Sequence, residues 1–315
     1  MIEQRDEWLH EVGPDPAWQE SFYFNWADAQ QQTFTLARTG YRFHPRKTDG
    51  LVISLHRGEL ELYYGPADLD HEGDCREEDP AAGMRANDLV VTMIEPLRRW
   101  RLQIEGERGM DVVFEAHTPA FDYGAGGRLA STMTGAHFEQ SGRVTGWTHF
   151  GEERLEIDAL GQRDKSWGVR DWARLEGWNW ISGQLGTDWS FNVMQTIEAG
   201  KPLDNGFVHR DGANHAVVEA RIDYEWGERE HELRSTRIEI VEAGGAHHRL
   251  RAEALGAFPI LRGDVWLEET HVEFKLEGAD SRTGQGVIEH VWRATADEIA
   301  ARAERIARIA DVFRR

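Results

Sequence analysis

Cysteine is all but missing from this sequence. Cys75 stands alone among 315 residues, so no internal disulfide can form and no cysteine-based zinc site can be assembled. Such a chain suits a reducing compartment. Positive charge is scarce too: 36 Lys and Arg face 56 Asp and Glu, a formal net charge of -20. That balance argues against a nucleic-acid partner and against docking on an anionic membrane surface, because both need clustered cations. No stretch approaches ~18 uninterrupted apolar residues, and the opening Met1-Ile2-Glu3-Gln4-Arg5-Asp6 lacks the basic start and apolar run of a secretion signal. These absences predict a cytoplasmic protein with no integral membrane span. Also missing are a G-x-G-x-x-G between strand and helix, a G-x-x-x-x-G-K-[ST] phosphate loop, an H-E-x-x-H pair and a G-x-S-x-G elbow. Nucleotide chemistry and the common zinc-protease and hydrolase arrangements thus lack their signatures, and neither cofactor nor metal is expected.

What is present is a globular composition, 40% hydrophobic and 29% charged, in a chain long enough for two cores. Aromatic and β-branched runs at residues 21–27, 32–38, 51–55 and 60–64 read as strands, the last two as a hairpin. Residues 88–95, 99–105 and 110–117 follow, with Trp100, Leu102 and Ile104 alternating against Arg99, Arg101 and Gln103 as in a half-buried strand. The acidic stretch 66–83 reads as a solvated loop, and the glycine-rich stretch 119–131 as a connection forming the lip of a cavity. Strand signals then recur at 174–184, 189–198, 215–225, 231–242, 247–255, 264–276 and 285–293, a spacing that suggests a barrel or sandwich. One helix is clear. Thr295-Ala296-Asp297-Glu298 has the form of a capping box, and Ile299, Ala303, Ile306, Ala310 and Phe313 recur at helical spacing, which suggests packing across the outside of a barrel.

Tryptophan is abundant, 13 in all, and Trp147, Trp167, Trp172, Trp178, Trp180 and Trp189 crowd the centre. There lies the chemically dense segment Gly161-Gln162-Arg163-Asp164-Lys165-Ser166-Trp167-Gly168-Val169-Arg170-Asp171-Trp172. Its glycines suggest a structured loop between strands. Arginine can hold a carboxylate and stack on tryptophan, so Arg163, Arg170, Asp164, Asp171, Trp167 and Trp172 are expected to form one network. An aspartate pinned by arginine stays ionised; one facing an apolar, Trp-walled cavity has its pKa raised by desolvation and can donate a proton. Trp178 and Trp180, two apart on one strand, face the same side, as core or as cavity lining.

The G-x-R-D-x-S-W-G-x-R-D-W segment resembles the signature of the two-domain lipocalin-like superfamily that includes carotenoid 1,2-hydratases, the AttH-like proteins and certain fungal Diels-Alderases. Weaker support comes from Phe138 to Gly146 and from Gly284-Gln285-Gly286-Val287-Ile288-Glu289-His290. The resemblance implies an all-β fold of two lipocalin-like antiparallel β-barrels with a C-terminal α-helix, divided here as residues 1–150 and 151–315. It also implies a ligand cavity for hydrophobic, often isoprenoid or polyketide, molecules, without fixing one reaction. Lys165 stands where a histidine is often found in the bacterial relatives, which weakens schemes built on a motif histidine.

Two functional readings follow. The first is a cofactor-independent hydratase, lyase or isomerase acting on a hydrophobic small molecule. Asp164, Asp171 and His290 are its candidate catalytic residues, and Trp147, Trp167, Trp172, Trp178, Trp180 and Arg170 enclose the substrate. The second is a carrier that holds an apolar ligand without chemistry. Carbohydrate processing on Trp platforms is a third, weaker option. His149, His209 and His271 are further histidines of interest by position alone.

Overall fold

The computed structural model describes residues 2–69, 84–106, 109–124 and 135–313. They fall into two compact units, one up to Trp172 and one from Ala173 onward. Unit 1 contains eleven strands: β1 (Trp18–Asp28), β2 (Thr33–Arg42), β3 (Lys47–His56), β4 (Glu59–Asp68), β5 (Met84–Ala86), β6 (Leu89–Glu95), β7 (Arg99–Ile104), β8 (Met110–Ala116), β9 (Phe121–Asp122), β10 (Ala136–Phe150) and β11 (Glu153–Val169). They form one antiparallel sheet in the order β4-β3-β2-β1-β11-β10-β8-β7-β6-β5, with β9 added to β10. The sheet curls until its ends nearly meet. Gly50 of β3 lies so close to β5 that a Cβ there would stand 2.6 Å from the Ala86 carbonyl oxygen. Alternation puts Phe22, Phe24, Trp26, Trp100, Leu102, Val112 and Phe114 into one inner core.

Unit 2 is a closed barrel of eight strands in simple succession: β12 (Gly177–Gln184), β13 (Ser190–Glu198), β14 (Lys201–Arg210), β15 (Ala213–Trp226), β16 (Leu233–Glu242), β17 (His247–Arg262), β18 (Val265–Leu276) and β19 (Thr283–Arg293). Its core gathers Ile181, Phe191, Val193, Val208, Ile238, Ile240, Val272, Phe274 and Ile288. Helices α1 (Ala296–Ala301) and α2 (Ala303–Phe313) follow. Thr295 caps the first with the expected reciprocal bonds to Glu298. The all-β, two-barrel architecture with a terminal helix is therefore the one the sequence predicts.

Several local expectations need correction. The central motif is not a loop. Residues 161–169 lie within β11, paired with β1 throughout and with β10 as far as Trp167. Polar residues obscured the alternation, yet Arg163 and Lys165 are themselves fully buried on the inner face. The turn near residue 150 joins β10 to β11 inside unit 1, so the division falls some twenty residues later, after Trp172. The helix does not lie across the outside of a barrel: Arg302 stands 5.7 Å from the Trp266 ring, and Arg305 pairs with Glu268, both partners facing the barrel interior. The acidic loop beyond Leu69, with Cys75, and most of the glycine-rich lip lie outside the described residues.

Candidate functional site

On β11 the odd residues Ile157, Ala159, Arg163 and Lys165 face the core, so Gln162 and Asp164 face the opposite side of the sheet. Arg163 and Asp164, adjacent in sequence, point apart. Arg163 is bound by Glu7 and Gln140 and Lys165 by Glu20, all on the inner face, so the expected Arg-Asp-Trp network does not form as one unit. Arg170 does stand over the Trp172 ring at 5.5 Å, and its charge acts on Asp164.

Strand register builds a row around Asp164. Arg38 of β2 pairs with Tyr23 of β1, Tyr23 with Asp164, and Asp164 with Glu139 of β10. Tyr23, Arg38 and Asp164 each keep accessible surface. Asn25 donates to the Tyr23 hydroxyl at 3.2 Å, and Arg38 donates to Asp49 at 2.8 Å. Behind the row, Glu139 accepts from Gln162 and lies 3.1 Å from His137, and the His137 ring stacks on Tyr123 at 4.6 Å. Among the described residues no hydrogen bond reaches the Asp164 carboxyl. It is enclosed by protein yet open to a space.

The electrostatics follow from that enclosure. Burial raises the Asp164 pKa, opposed by His137 and, more weakly, by Arg170 and Arg38, while Glu139 adds to the rise; the result is about 6. At His137 burial opposes the charged form, but Glu139 and Asp164 outweigh it and raise the imidazole pKa. Tyr123 is pushed well up by burial and by Glu139, to which its hydroxyl is hydrogen-bonded, so it remains protonated. The arrangement offers a carboxyl that holds a proton near neutrality, set beside the His137–Glu139 contact.

The other expected residues are dispersed. Trp167 is on the inner face, stacked on His10 at 4.0 Å. Trp147 lies toward the far end of β10 beneath Arg154, 4.3 Å from its ring. Asp171 and Trp172 follow the end of β11. Trp178 and Trp180 lie on the outer face of β12 in unit 2, where Trp178 donates to Glu289, itself paired across strands with Glu269. Burial and Glu289 raise the Glu269 pKa well above the ordinary carboxylate range. His290 points into the unit 2 barrel. The residues sequence reasoning missed are Tyr23, Arg38, Tyr123, His137 and Glu139. The one available signal was the alternation of His137, Glu139 and Ser141 opposite the motif.

The family model described as Domain of unknown function (DUF7064) matches residues 3–294. No curated protein sequence matches the chain. Among solved structures, kievitone hydratase from Nectria haematococca is similar over 88% of this chain and 89% of its own, with 11% identity and a TM-score of 0.63. An AttH-like protein of Nitrosomonas europaea is similar over 90% and 95%, with 14% identity and a TM-score of 0.62. CghA with Sch210972 is similar over 89% of each chain, with 13% identity and a TM-score of 0.64. At these identities the likeness establishes the shared lipocalin-like fold.

Proposed function

The chain belongs to the DUF7064 family, and we propose that it is a cofactor-independent enzyme of the hydratase, lyase or isomerase type whose proton donor is Asp164. Its substrate is a hydrophobic small molecule, isoprenoid-like in carrying an alkene. The observation that carries this reading is the Asp164 carboxyl, enclosed, open to a space, free of hydrogen bonds among the described residues and titrating near 6. A purely structural aspartate in such a place is costly, because an enclosed carboxylate needs partners to replace lost water. The fold neighbours include a protein named a hydratase and one whose crystal structure contains Sch210972, which supports the same reading.

In a hydration, the Asp164 carboxylic acid transfers its proton to one alkene carbon and leaves a carbocation on the other. An aromatic face beside the carboxyl, of which Tyr23 is the nearest in register, stabilises that charge. Water adds to the cation, and its surplus proton returns to the Asp164 carboxylate, so the enzyme is regenerated and only water is consumed.

The test is turnover of hydrophobic alkenes, with kievitone tried beside them because a fold neighbour is named for it, in ¹⁸O-labelled water, read by mass spectrometry for wild type and Asp164→Asn. Loss of the labelled product by about 10²-fold or more in a folded D164N supports the assignment. Equal turnover by the two proteins excludes Asp164 as donor. Retention of a co-purifying apolar molecule by both proteins, without conversion, leaves the carrier reading, toward which the tethering of Arg163 and Lys165 in the core points.

A further inference from the structure

One end of the unit 2 barrel is built unlike the rest of its core. Asn179 of β12, Gln195 of β13, Tyr224 of β15 and His290 of β19 project inward there. Trp226, Trp266 and Trp292 surround them, and His231 reaches in from the turn between β15 and β16. His231 has φ 66, a left-handed backbone that is uncommon for residues other than glycine. Its ring stacks on Trp292 at 4.1 Å and lies 5.4 Å from Trp226.

The hydrogen bonds at this end determine where every proton sits. Gln195 Nε2 meets the Asp204 carboxylate at 2.9 Å and the Ala220 carbonyl at 3.0 Å; both can only accept, so this atom is the amide nitrogen. Gln195 Oε1 therefore accepts from Asn179 Nδ2 at 3.0 Å. Asn179 Oδ1 is left as a pure acceptor, taking the Tyr224 hydroxyl at 2.8 Å and Nδ1 of His290 at 2.7 Å. His290 is thus protonated on Nδ1. Burial holds its pKa down to about 3, so the ring is neutral and Nε2 carries a lone pair. That lone pair accepts from Nδ1 of His231 at 2.9 Å. The chain of constraint ends at Nε2 of His231, an acceptor that has no hydrogen-bond partner among the described residues.

Partly exposed side chains and unmatched buried donors adjoin it. Tyr224, Trp226, His231, His290 and Trp292 all keep accessible surface. Trp292 Nε1 and Arg302 Nε are donors without a partner among the described residues, and Arg302 stands 5.8 Å from the Trp292 ring. A hydroxyl both donates and accepts, and a flat ring suits the aromatic walls. We infer that this end of unit 2 binds a flat aromatic molecule bearing a hydroxyl, which donates to Nε2 of His231 and packs against the surrounding rings. His290, Asn179 and Gln195 are positioning residues that set the His231 tautomer. The inference is independent of the role given to Asp164.

The experiment compares 2-naphthol with 2-methoxynaphthalene, which lacks the donor, by titration into the full chain and into His231→Asn. Asparagine also tolerates a left-handed backbone, so the turn is retained. Wild type is expected to prefer 2-naphthol by about tenfold, the value of one well-made hydrogen bond, and H231N to lose that preference. Equal affinity for the two probes, no binding of either, or a preference that survives in H231N overturns the inference. A second measurement needs no variant: ¹⁵N ring correlations of the wild type should place the protons of His231 and His290 on Nδ1. A proton on Nε2 of His290 breaks the chain of constraint and with it the inference.

Discussion

Asp164 is held in a state that weakens the fold. Its folded-state pKa is raised by burial to about 6, so the ionised carboxylate is disfavoured relative to the unfolded chain. The sign follows directly. Below the unfolded pKa, near 4, the group is protonated in both states and costs nothing. Between about 4 and about 6 the unfolded chain gives up this proton while the folded protein keeps it, so stability falls across that window and levels off above it. Asp164→Asn, which cannot ionise, is expected to stabilise the protein at pH 8 by on the order of 2 kcal/mol and to make little difference at pH 4. Urea unfolding at the two pH values measures this. Activity depends on the same proton, so kcat/KM of the wild type should fall as pH rises through about 6. A D164N protein less stable than wild type at pH 8 would mark Asp164 as a structural residue. The motif made Asp164 legible in the sequence. Its neighbours His137, Glu139 and Tyr123 were not legible, because they reach it across strands rather than along the chain.

At the scale of elements, sequence patterning succeeded wherever one face of a strand is apolar and the other wet. β7 is such a strand, with Trp100, Leu102 and Ile104 buried and Arg99, Arg101 and Gln103 half-buried. β11 defeats the same reading because its inner face carries Arg163 and Lys165 beside Ile157 and Ala159. Gly161, taken for a turn residue, serves a different purpose. A Cβ at this position would stand 2.0 Å from the Asn25 carbonyl oxygen and 3.0 Å from Trp26 Cβ. The glycine lets β11 press against β1 at the point where Trp26 fills the core. Gly161→Ala should therefore destabilise unit 1 by about 1–3 kcal/mol through overpacking, measured as a lower urea midpoint. An unchanged midpoint means that β1 shifts without penalty and that the close approach is not a constraint.

At the scale of the whole chain, each barrel receives charged side chains from one end of the sequence. In unit 2, Arg302 and Arg305 of the C-terminal segment meet the rings of Trp266 and Trp292 and the carboxylate of Glu268. In unit 1, Glu7 is fully buried. It accepts from Arg163 at 2.6 and 3.0 Å and from the backbone N–H of Leu97 at 2.6 Å. Arg163 also donates to Gln140, whose amide bridges to the Leu97 and Thr118 carbonyls. No local pattern announces a pair separated by 156 residues, and the nearer Asp164 drew the sequence reading away from it. The pair makes a distinctive energetic prediction. Glu7→Gln leaves the Arg163 guanidinium buried without a counter-charge and should cost about 3–5 kcal/mol, whereas adding Arg163→Met to it removes the orphaned charge and should recover part of the loss. Urea unfolding of the wild type, both single variants and the double variant closes the cycle. If E7Q lies within about 1 kcal/mol of wild type, as an exposed pair would, the N-terminal segment is not held by its charge. If it falls by the larger amount and the double variant partly recovers, Glu7 fastens the start of the chain into the core beneath the strand that presents Asp164.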